Sequence, residues 1–355
     1  MPPALNGLLS SSPYAFHRML PRYVNGGCLF RRDRVGGLIH SGLPFRLNAA
    51  RVIRRFEQFR RTISAVPVKA PISVDVEPYA GRDPHVIQMM DYLHAHLRGA
   101  LVGAYVHGSL GTYEATPYSD FDALVILRDE VFSSPSRLIR TARMLDTARS
   151  IMLQFDPLQH HGWFVLTEAQ LSAYPEHYFP SPLFEYAKAL LPAQGCTLTV
   201  SPVAAPGRHR DGVLNLSASI IHRIERRRFP ANLYELKFVL SQFMLLPAMY
   251  VQARDGQGVF KKYTFDLART DFRDDDWLVM DEVSAIRQNW EPVRQGVRWW
   301  LLTRGNKPIR SLTSRWAPGI PRSLQRVLTE DFYSRMQRLA LRMRQRVEQM
   351  EPAPQ

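Results

Sequence analysis

Apolar residues recur at the spacing of a helix in several parts of this chain. Residues 47–63 and 85–97 repeat apolar side chains every three or four positions, with polar or charged residues between them. A further amphipathic pattern, over about residues 321–350, keeps its arginines on the polar side. Each of these segments is therefore predicted to form a helix that buries one face. The repeating residues of the first helix are Val52, Phe56, Phe59 and Ile63.

Uninterrupted apolar runs predict the strands. Residues 101–106 predict one strand, and residues 120–127 predict its partner across a turn. The apolar run at 123–127 is typical of a strand that is buried on both faces. The two strands are therefore expected at the centre of a sheet.

A helix and a further strand are predicted next. Ser134 followed by Pro135 suits an N-cap and a first helical position, and this helix is expected to extend to about Ser150. Residues 151–156 and the apolar run at 163–166 come after it. The predicted order of elements is strand, turn, strand, helix and strand.

From residue 211 onward the pattern is almost entirely helical. One helix is predicted over residues 214–228 and ends before Pro230. The next begins after Asn232 and is apolar on nearly every side, which predicts a buried helix. Because proline cannot sit in a regular helix interior, Pro247 predicts a kink or a boundary there.

These elements predict an α+β fold, in which a β-sheet core with flanking helices is followed by an all-α domain. A basic extension at 1–70, partly disordered with one helix, is expected before a core domain at 71–205 and a helical domain at 206–355. Residues 1–45 show no sustained period, and the proline-rich segment 66–78 separates the first helix from the core. A chain of 355 residues is also too long for one compact core.

Composition narrows the class of protein. Hydrophobic residues make up 45% of the chain, which is the range of globular proteins rather than disordered ones. Two cysteines, Cys28 and Cys196, cannot form a disulfide framework or a cysteine-based zinc site. No apolar stretch reaches the roughly 18 residues of a membrane span. We expect a soluble cytoplasmic protein without a membrane partner; an organelle transit peptide is the alternative for the arginine-containing, acid-poor residues 1–45.

Charge is distributed unevenly. Residues 1–70 hold 12 Lys/Arg against 2 Asp/Glu, and residues 201–355 hold 26 against 16, so each region carries +10. Residues 71–200 hold 8 against 14 and carry −6. An acidic core suits a metal site, while basic flanks suit triphosphates, RNA or acidic protein surfaces. A general compositional bias toward arginine, with solvated charges, explains the flanks equally well.

The residues that carry the chemistry lie between the two predicted central strands. Gly108-Ser109 ends the first apolar run, and Asp120 and Asp122 precede the second. Carboxylates two positions apart on a strand point to the same side of the sheet and could hold Mg²⁺ against a nucleotide's phosphates. A Gly-Ser turn lets backbone N–H groups approach those phosphates closely. The alternatives are an ordinary turn and a solvated strand entry.

Gly-Ser, about ten residues and then Asp-x-Asp before an apolar strand resembles the signature of the DNA polymerase beta-like nucleotidyltransferase superfamily. Gly111 and Ser119 also match what that superfamily shows. The resemblance implies a nucleotidyltransferase-type mixed sheet followed by a helical domain. It also implies attack of a substrate hydroxyl on the α-phosphate of a nucleotide, assisted by two Mg²⁺ ions.

The resemblance assigns roles to particular residues. Asp120 and Asp122 carry over as metal ligands, and Gly108 and Ser109, with Ser119 beside them, as the triphosphate-binding turn. Members of the superfamily usually have a third carboxylate on a neighbouring strand, which activates the attacking hydroxyl. Asp156 is the candidate for this catalytic and metal-binding role.

The assignment of Asp156 has an alternative. Pro157 follows it directly, so an Asp-Pro turn after a helix fits the sequence as well as a catalytic strand end. His160 and His161 are the next candidates for a base or a substrate contact. Adjacent residues on a strand face opposite ways, so these two histidines are not expected to bind one metal together.

Basic and aromatic residues of the helical region are secondary candidates. By resemblance Lys261 and Lys262 could reach the triphosphate or the leaving pyrophosphate, although a solvated loop is the simpler interpretation. The arginines near residue 226 are expected on the surface. Trp299 and Trp300 are expected in the core between the domains, with stacking on a base as an alternative.

The favoured hypothesis is a Mg²⁺-dependent nucleotidyltransferase that moves AMP from ATP, or another nucleoside monophosphate from its triphosphate, to a hydroxyl of a small molecule. The first alternative keeps the chemistry but makes tRNA or a protein side chain the acceptor. The second is an inactive fold that only binds nucleotide. The sequence does not specify the acceptor or the base of the nucleotide.

Overall fold

The computed structural model describes residues 45–192, 194–204, 207–291, 297–303 and 317–350, with short pieces between residues 20 and 40. The prediction of disorder in residues 1–45 therefore falls mostly outside the described residues. The strands are β1 (Phe30–Arg32), β2 (Leu38–His40), β3 (Ile72–Val76), β4 (Leu101–Val106), β5 (Ala123–Leu127), β6 (Phe164–Thr167), β7 (Lys188–Leu191) and β8 (Cys196–Val200).

Helices make up most of the described chain. They are α1 (Phe45–Thr62), α2 (Pro84–Leu97), α3 (Gly108–Gly111), α4 (Pro135–Phe155), α5 (Arg208–Glu225), α6 (Leu233–Phe243), α7 (Leu246–Asp255), α8 (Lys261–Arg269), α9 (Asp274–Gln288), α10 (Val297–Thr303), α11 (Arg322–Gln325) and α12 (Glu330–Gln349). The described strands all lie before residue 201, together with α1 to α4, and the elements described after it are helices, which confirms the predicted α+β class.

A mixed four-stranded sheet holds the predicted central strands. Its order is β6-β5-β4-β7, with β4 antiparallel to both neighbours and β5 parallel to β6. Parallel pairing of β5 and β6 is possible because α4 makes the crossover between them. The predicted order of strand, turn, strand, helix and strand is confirmed. Two antiparallel pairs, β3 with β8 and β1 with β2, complete the described strands.

Both faces of the central sheet are covered. Along β5, Ala123, Val125 and Leu127 face a core formed with α1, α2 and α4. Leu124 and Ile126 face the opposite core, which β3 and β8 close. This alternation explains why β5 is an unbroken apolar run. A separate core joins the helices from α5 onward, and Tyr118 and Leu158 of the preceding region also belong to it.

Capping residues fix where the helices begin. Ser134 accepts a hydrogen bond from Arg137 N at the start of α4, as its position before Pro135 predicted. Asp83 does the same for α2, accepting from His85 N and Val86 N. Asn232 accepts from Glu235 N and starts α6. These three starts lie close to their predicted positions, whereas the helix predicted over residues 214–228 is α5, which begins at Arg208 and ends at Glu225.

Several predicted boundaries are wrong. β5 begins at Ala123, so Asp120 and Asp122 precede the strand instead of lying on it. Residues 151–155 are the last turns of α4, because their apolar side chains continue the helical face that packs on the sheet. The last predicted helix is two, α11 and α12, separated at residues 326–329. Trp300 on α10 is 52% exposed instead of buried, although Trp299 packs against the helical core.

The apolar segment Leu233–Asp255 has the length and composition of a membrane span, so the expectation that no stretch is long enough for one is wrong. Its most apolar window is 67% buried inside the protein, as expected for a core helix of a globular fold. The segment divides into α6 and α7, and Pro247 lies in the first turn of α7. The predicted boundary at this proline is confirmed, since proline is tolerated at a helix start.

Candidate active site

The Gly-Ser turn begins where β4 ends. His107 N donates to Asp122 O at 3.0 Å, which extends the pairing of β4 and β5 by one step beyond the strands. Gly108 then adopts a φ of +62°, and the single-turn helix α3 follows. A Cβ at Gly108 would lie 2.7 Å from Asp122 Oδ2. Glycine is required there because of both the backbone conformation and the carboxylate beside it.

Ser109 and Ser119 close the loop that carries the acidic residues. Ser109 Oγ donates to Ser119 Oγ at 2.7 Å, and Ser119 Oγ also accepts from Thr116 N at 2.9 Å. This hydrogen bond brings the two ends of the loop together, next to Asp120. The structure therefore places Gly108, Ser109 and Ser119 beside the acidic pair.

The carboxylates of Asp120 and Asp122 converge on one point, where the His161 ring contacts both of them. His161 Nε2 lies 3.1 Å from Asp122 Oδ1 and 3.5 Å from Asp120 Oδ2. Burial works to lower the pKa of His161, but the two carboxylates outweigh it and hold that pKa well above its ordinary value. The imidazole thus supplies positive charge at the point where the two carboxylates converge.

Two further histidines lie nearby and stay neutral. Burial lowers the pKa of His107 and of His160 to about 4. The His107 ring packs between Phe164 and Phe179, and the His160 ring packs against Phe238. His107 Nε2 and His160 Nδ1 have no hydrogen-bond partner within the part of the chain that is described. Of the two predicted histidines, only His161 contacts the acidic pair.

Asp156 does not join the other two carboxylates at that point. It is the C-cap of α4, so the alternative of a turn after a helix is correct and the predicted strand end is wrong. Its Oδ1 accepts from Leu158 N at 3.1 Å, and its Oδ2 accepts from Lys237 Nζ at 2.6 Å. Burial and the negative charge of Asp120 raise the pKa of Asp156 to about 7, against the effect of Lys237.

Lys237 connects Asp156 to Asp120. It extends from α6, its side chain is 0% exposed, and its Nζ lies 2.8 Å from Asp120 Oδ1. Although burial opposes it, the ammonium of Lys237 holds the pKa of Asp120 well below its usual value. Asp120 is therefore ionised throughout the neutral range.

The two candidate lysines lie in different environments. Lys262 Nζ lies 2.6 Å from Glu114 Oε1 in an exposed ion pair, so the solvated interpretation is correct for it. Lys261 begins α8 and turns inward. Burial, followed by the positive charge of Arg287, lowers the pKa of Lys261 to about 8, against the charges of Asp122 and Asp120. Lys261 thus brings positive charge toward the carboxylates, and Arg287 lies near Lys261.

The donor set fits one divalent cation. Asp120 Oδ2 and Asp122 Oδ1 are hard oxygen ligands facing one point, and Mg²⁺ commonly takes one or two carboxylates with phosphates and water for the rest. The His161 ring has to give way for such a cation. Within the residues that the structure describes, no three His, Cys, Asp or Glu side chains come together as a metal site. The prediction of Asp156 as a third ligand does not fit this arrangement.

Sequence reasoning missed Lys237 and Arg287. Lys237 lies in a helix that is apolar nearly all round, and a charged residue there is costly to bury without a partner. That cost is a signal that a carboxylate faces it. Arg287, near the end of α9, resembles the other surface arginines of the chain, so no pattern distinguishes it.

Comparison with known proteins gives little further information. No protein-family profile matches the chain, and no curated protein matches it. The solved structure of the spectinomycin adenyltransferase AAD(9) from Enterococcus faecialis, with ATP and spectinomycin, is similar at 13% sequence identity. The match covers 66% of this chain and 99% of that chain, with a TM-score of 0.34. Likeness at this level transfers no property to the present chain.

Proposed function

We propose that the chain is a nucleotidyltransferase of the DNA polymerase beta-like superfamily. It moves a nucleoside monophosphate, AMP from ATP, to a hydroxyl of a small molecule and depends on Mg²⁺. The observation that carries the proposal is the convergence of Asp120 Oδ2 and Asp122 Oδ1 on one point beside the turn at Gly108. These residues also belong to the Gly-Ser and Asp-x-Asp motif.

Each part of the site has a task in this proposal. Asp120 and Asp122 hold the cation and thereby position the triphosphate. The backbone N–H groups that follow Gly108 can approach phosphate oxygens, because no side chain intervenes at that position. Lys261 and Arg287 supply positive charge for the phosphates from the helical side. Bound Mg²⁺ would polarise the phosphate and stabilise charge on the leaving pyrophosphate.

The acceptor hydroxyl needs a group that takes its proton. Asp156 is poorly suited to this, because both of its oxygens already accept hydrogen bonds and its side chain is 9% exposed. The proposal therefore does not rely on Asp156, the residue that the sequence favoured as the activating carboxylate. Positioning of the hydroxyl against the α-phosphate, together with the electrostatic environment, then provides most of the rate enhancement.

Label transfer tests the proposal. The purified protein is incubated with a cell extract and ATP labelled in its α-phosphate, and small-molecule and macromolecular fractions are analysed by mass spectrometry. We expect label in a small molecule, and none with Asp120→Asn/Asp122→Asn, which keeps the shape of both side chains. Label in tRNA or protein would change the acceptor class. No transfer and no pyrophosphate release from any fraction would refute nucleotidyl transfer.

A further inference from the structure

A lysine lies between two carboxylates where two-metal chemistry would place a cation. Lys237 Nζ is 2.6 Å from Asp156 Oδ2 and 2.8 Å from Asp120 Oδ1. Its side chain is fully buried, and that of Asp156 is 9% exposed. In a two-metal site, two ions about 3.5–4 Å apart are bridged by shared ligands. Asp120 has the position of such a shared ligand, but its second partner here is an ammonium group.

The oxygens of Asp156 are all engaged. One accepts from the backbone of Leu158 and the other from Lys237. A divalent cation between Asp156 and Asp120 would have to displace the ammonium from the point that it occupies, which would leave a buried lysine without a partner. Breaking a buried ion pair in this way is strongly unfavourable.

The charges of the site also favour a single divalent ion. Three carboxylates meet two cationic side chains here, since Lys237 contacts Asp120 and Asp156, and His161 contacts Asp120 and Asp122. One divalent cation at the converging oxygens would replace the His161 ring, whereas a second would have to be added beside the ammonium of Lys237. Buried charge is stable only when it is paired.

We propose that the ammonium of Lys237 takes the place of the second metal ion, so that the site binds one divalent cation, between Asp120 and Asp122. The inference rests on the proposed function and replaces the expectation of two Mg²⁺ ions. It also makes α6 part of the site. The ammonium of Lys237 reaches Asp120 and Asp156 only when α6 is packed against the loop that carries Asp120.

Manganese counting tests the inference. Mn²⁺ replaces Mg²⁺ in the full-length protein with a non-hydrolysable ATP analogue, and bound Mn²⁺ is measured by titration and electron paramagnetic resonance. Free analogue and Asp120→Asn/Asp122→Asn serve as controls. We expect one Mn²⁺ per chain and no spin coupling between metal ions. Two bound ions with a coupled spectrum in the wild type would overturn the inference and leave the proposed function intact.

The other outcome concerns the proposed function. If the wild type binds no more Mn²⁺ than Asp120→Asn/Asp122→Asn, the acidic pair is not a metal site and the proposed function fails. Because neither result uses a Lys237 variant, neither depends on the folding of one.

A paired variant isolates the role of Asp156. Lys237→Met/Asp156→Asn removes both members of the ion pair and leaves no buried charge from either. Since Asp156 is not a ligand in this arrangement, we expect the variant still to bind one Mn²⁺ per chain. Failure to bind Mn²⁺, with the folded state verified by circular dichroism, would show that the first ion needs this pair and would overturn the inference. Lys262→Met, which breaks only the exposed pair with Glu114, is the control.

Discussion

At the scale of single residues, Gly108 determines how closely the turn approaches the acidic pair. Its φ of +62° lies in the left-handed region, and a Cβ at this position would clash with Asp122 Oδ2. Any side chain here would both strain the backbone and displace the carboxylate. The glycine therefore contributes to stability and to the site at once.

We predict that Gly108→Ala lowers the free energy of unfolding by about 1–3 kcal/mol, the usual cost of a strained non-glycine conformation. It should also weaken cation binding, since Asp122 must move. Urea unfolding and Mn²⁺ titration measure the two effects. Gly99→Ala is the matched control, because a Cβ there meets nothing within 4 Å. Equal stability of the two variants would contradict the assigned constraint.

The pair of Lys237 with Asp156 is the second decisive feature at this scale. Removing one member leaves the other charged and buried, which costs about 3–5 kcal/mol. We therefore predict that Lys237→Met is strongly destabilising, and that Lys237→Met/Asp156→Asn is more stable than Lys237→Met alone. Chemical unfolding of both variants and the wild type checks the order. A double variant less stable than Lys237→Met would show that the two side chains do not act as a pair.

At the scale of elements, hydrogen bonds of Tyr118 hold the loop between α3 and β5 against α6. Tyr118 OH lies 3.0 Å from Ser241 Oγ and donates to Lys237 O at 3.0 Å, and its ring packs against Trp290. The loop therefore presents Asp120 to the same helix that supplies Lys237. This contact explains how two distant parts of the chain form one site.

We predict that Tyr118→Phe lowers the free energy of unfolding by about 1–2 kcal/mol, because it leaves a buried polar group without its partner. A double-mutant cycle with Ser241→Ala separates the hydrogen bond from other effects, and a coupling energy of about 0.5–1.5 kcal/mol is expected. A coupling energy near zero would mean that the hydroxyl does not hold the loop on α6.

A second link between elements makes stability depend on pH. Burial works to raise the pKa of Asp271, but hydrogen bonds from Arg254 and Tyr250 outweigh it and hold the pKa below 3.8. Because the folded-state pKa is depressed, this carboxylate stabilises the fold fully above its unfolded pKa. The contribution is lost as the pH falls through the folded-state pKa.

We therefore predict that Asp271→Asn destabilises the protein at pH 7 and that its difference from the wild type shrinks progressively below about pH 4. Urea midpoints at several pH values measure the difference. Asp266→Asn, at an exposed position on α8, is the control for the loss of a carboxylate in this region. A difference from the wild type that is constant over the same pH range would contradict the assignment.

At the scale of the whole molecule, the features that the sequence predicted are those set by residues close together in the chain. The periodicities of α1, α2 and α12, the caps at Ser134 and Asn232 and the apolar strands β4 and β5 all follow from neighbours in the chain. The Gly-Ser and Asp-x-Asp spacing predicted the central residues of the site for the same reason.

Features that depend on distant parts of the chain were not predictable. Asp156 was expected to join the acidic pair, but its environment is set by Lys237, which lies 81 residues further along. Only the packing of α6 shows that the Asp156 carboxylate is already paired with the ammonium of Lys237. Likewise, Lys261 differs from Lys262 only through the side of α8 to which each points.

Calorimetric titration of a non-hydrolysable ATP analogue, with and without Mg²⁺, tests most directly that Asp120 and Asp122 form a cation-dependent nucleotide site. We predict that Mg²⁺ tightens binding to the wild type by at least about tenfold, which corresponds to about 1.4 kcal/mol. In Asp120→Asn/Asp122→Asn, Mg²⁺ should have no effect. Binding by this variant with unchanged affinity and unchanged Mg²⁺ dependence would contradict the account.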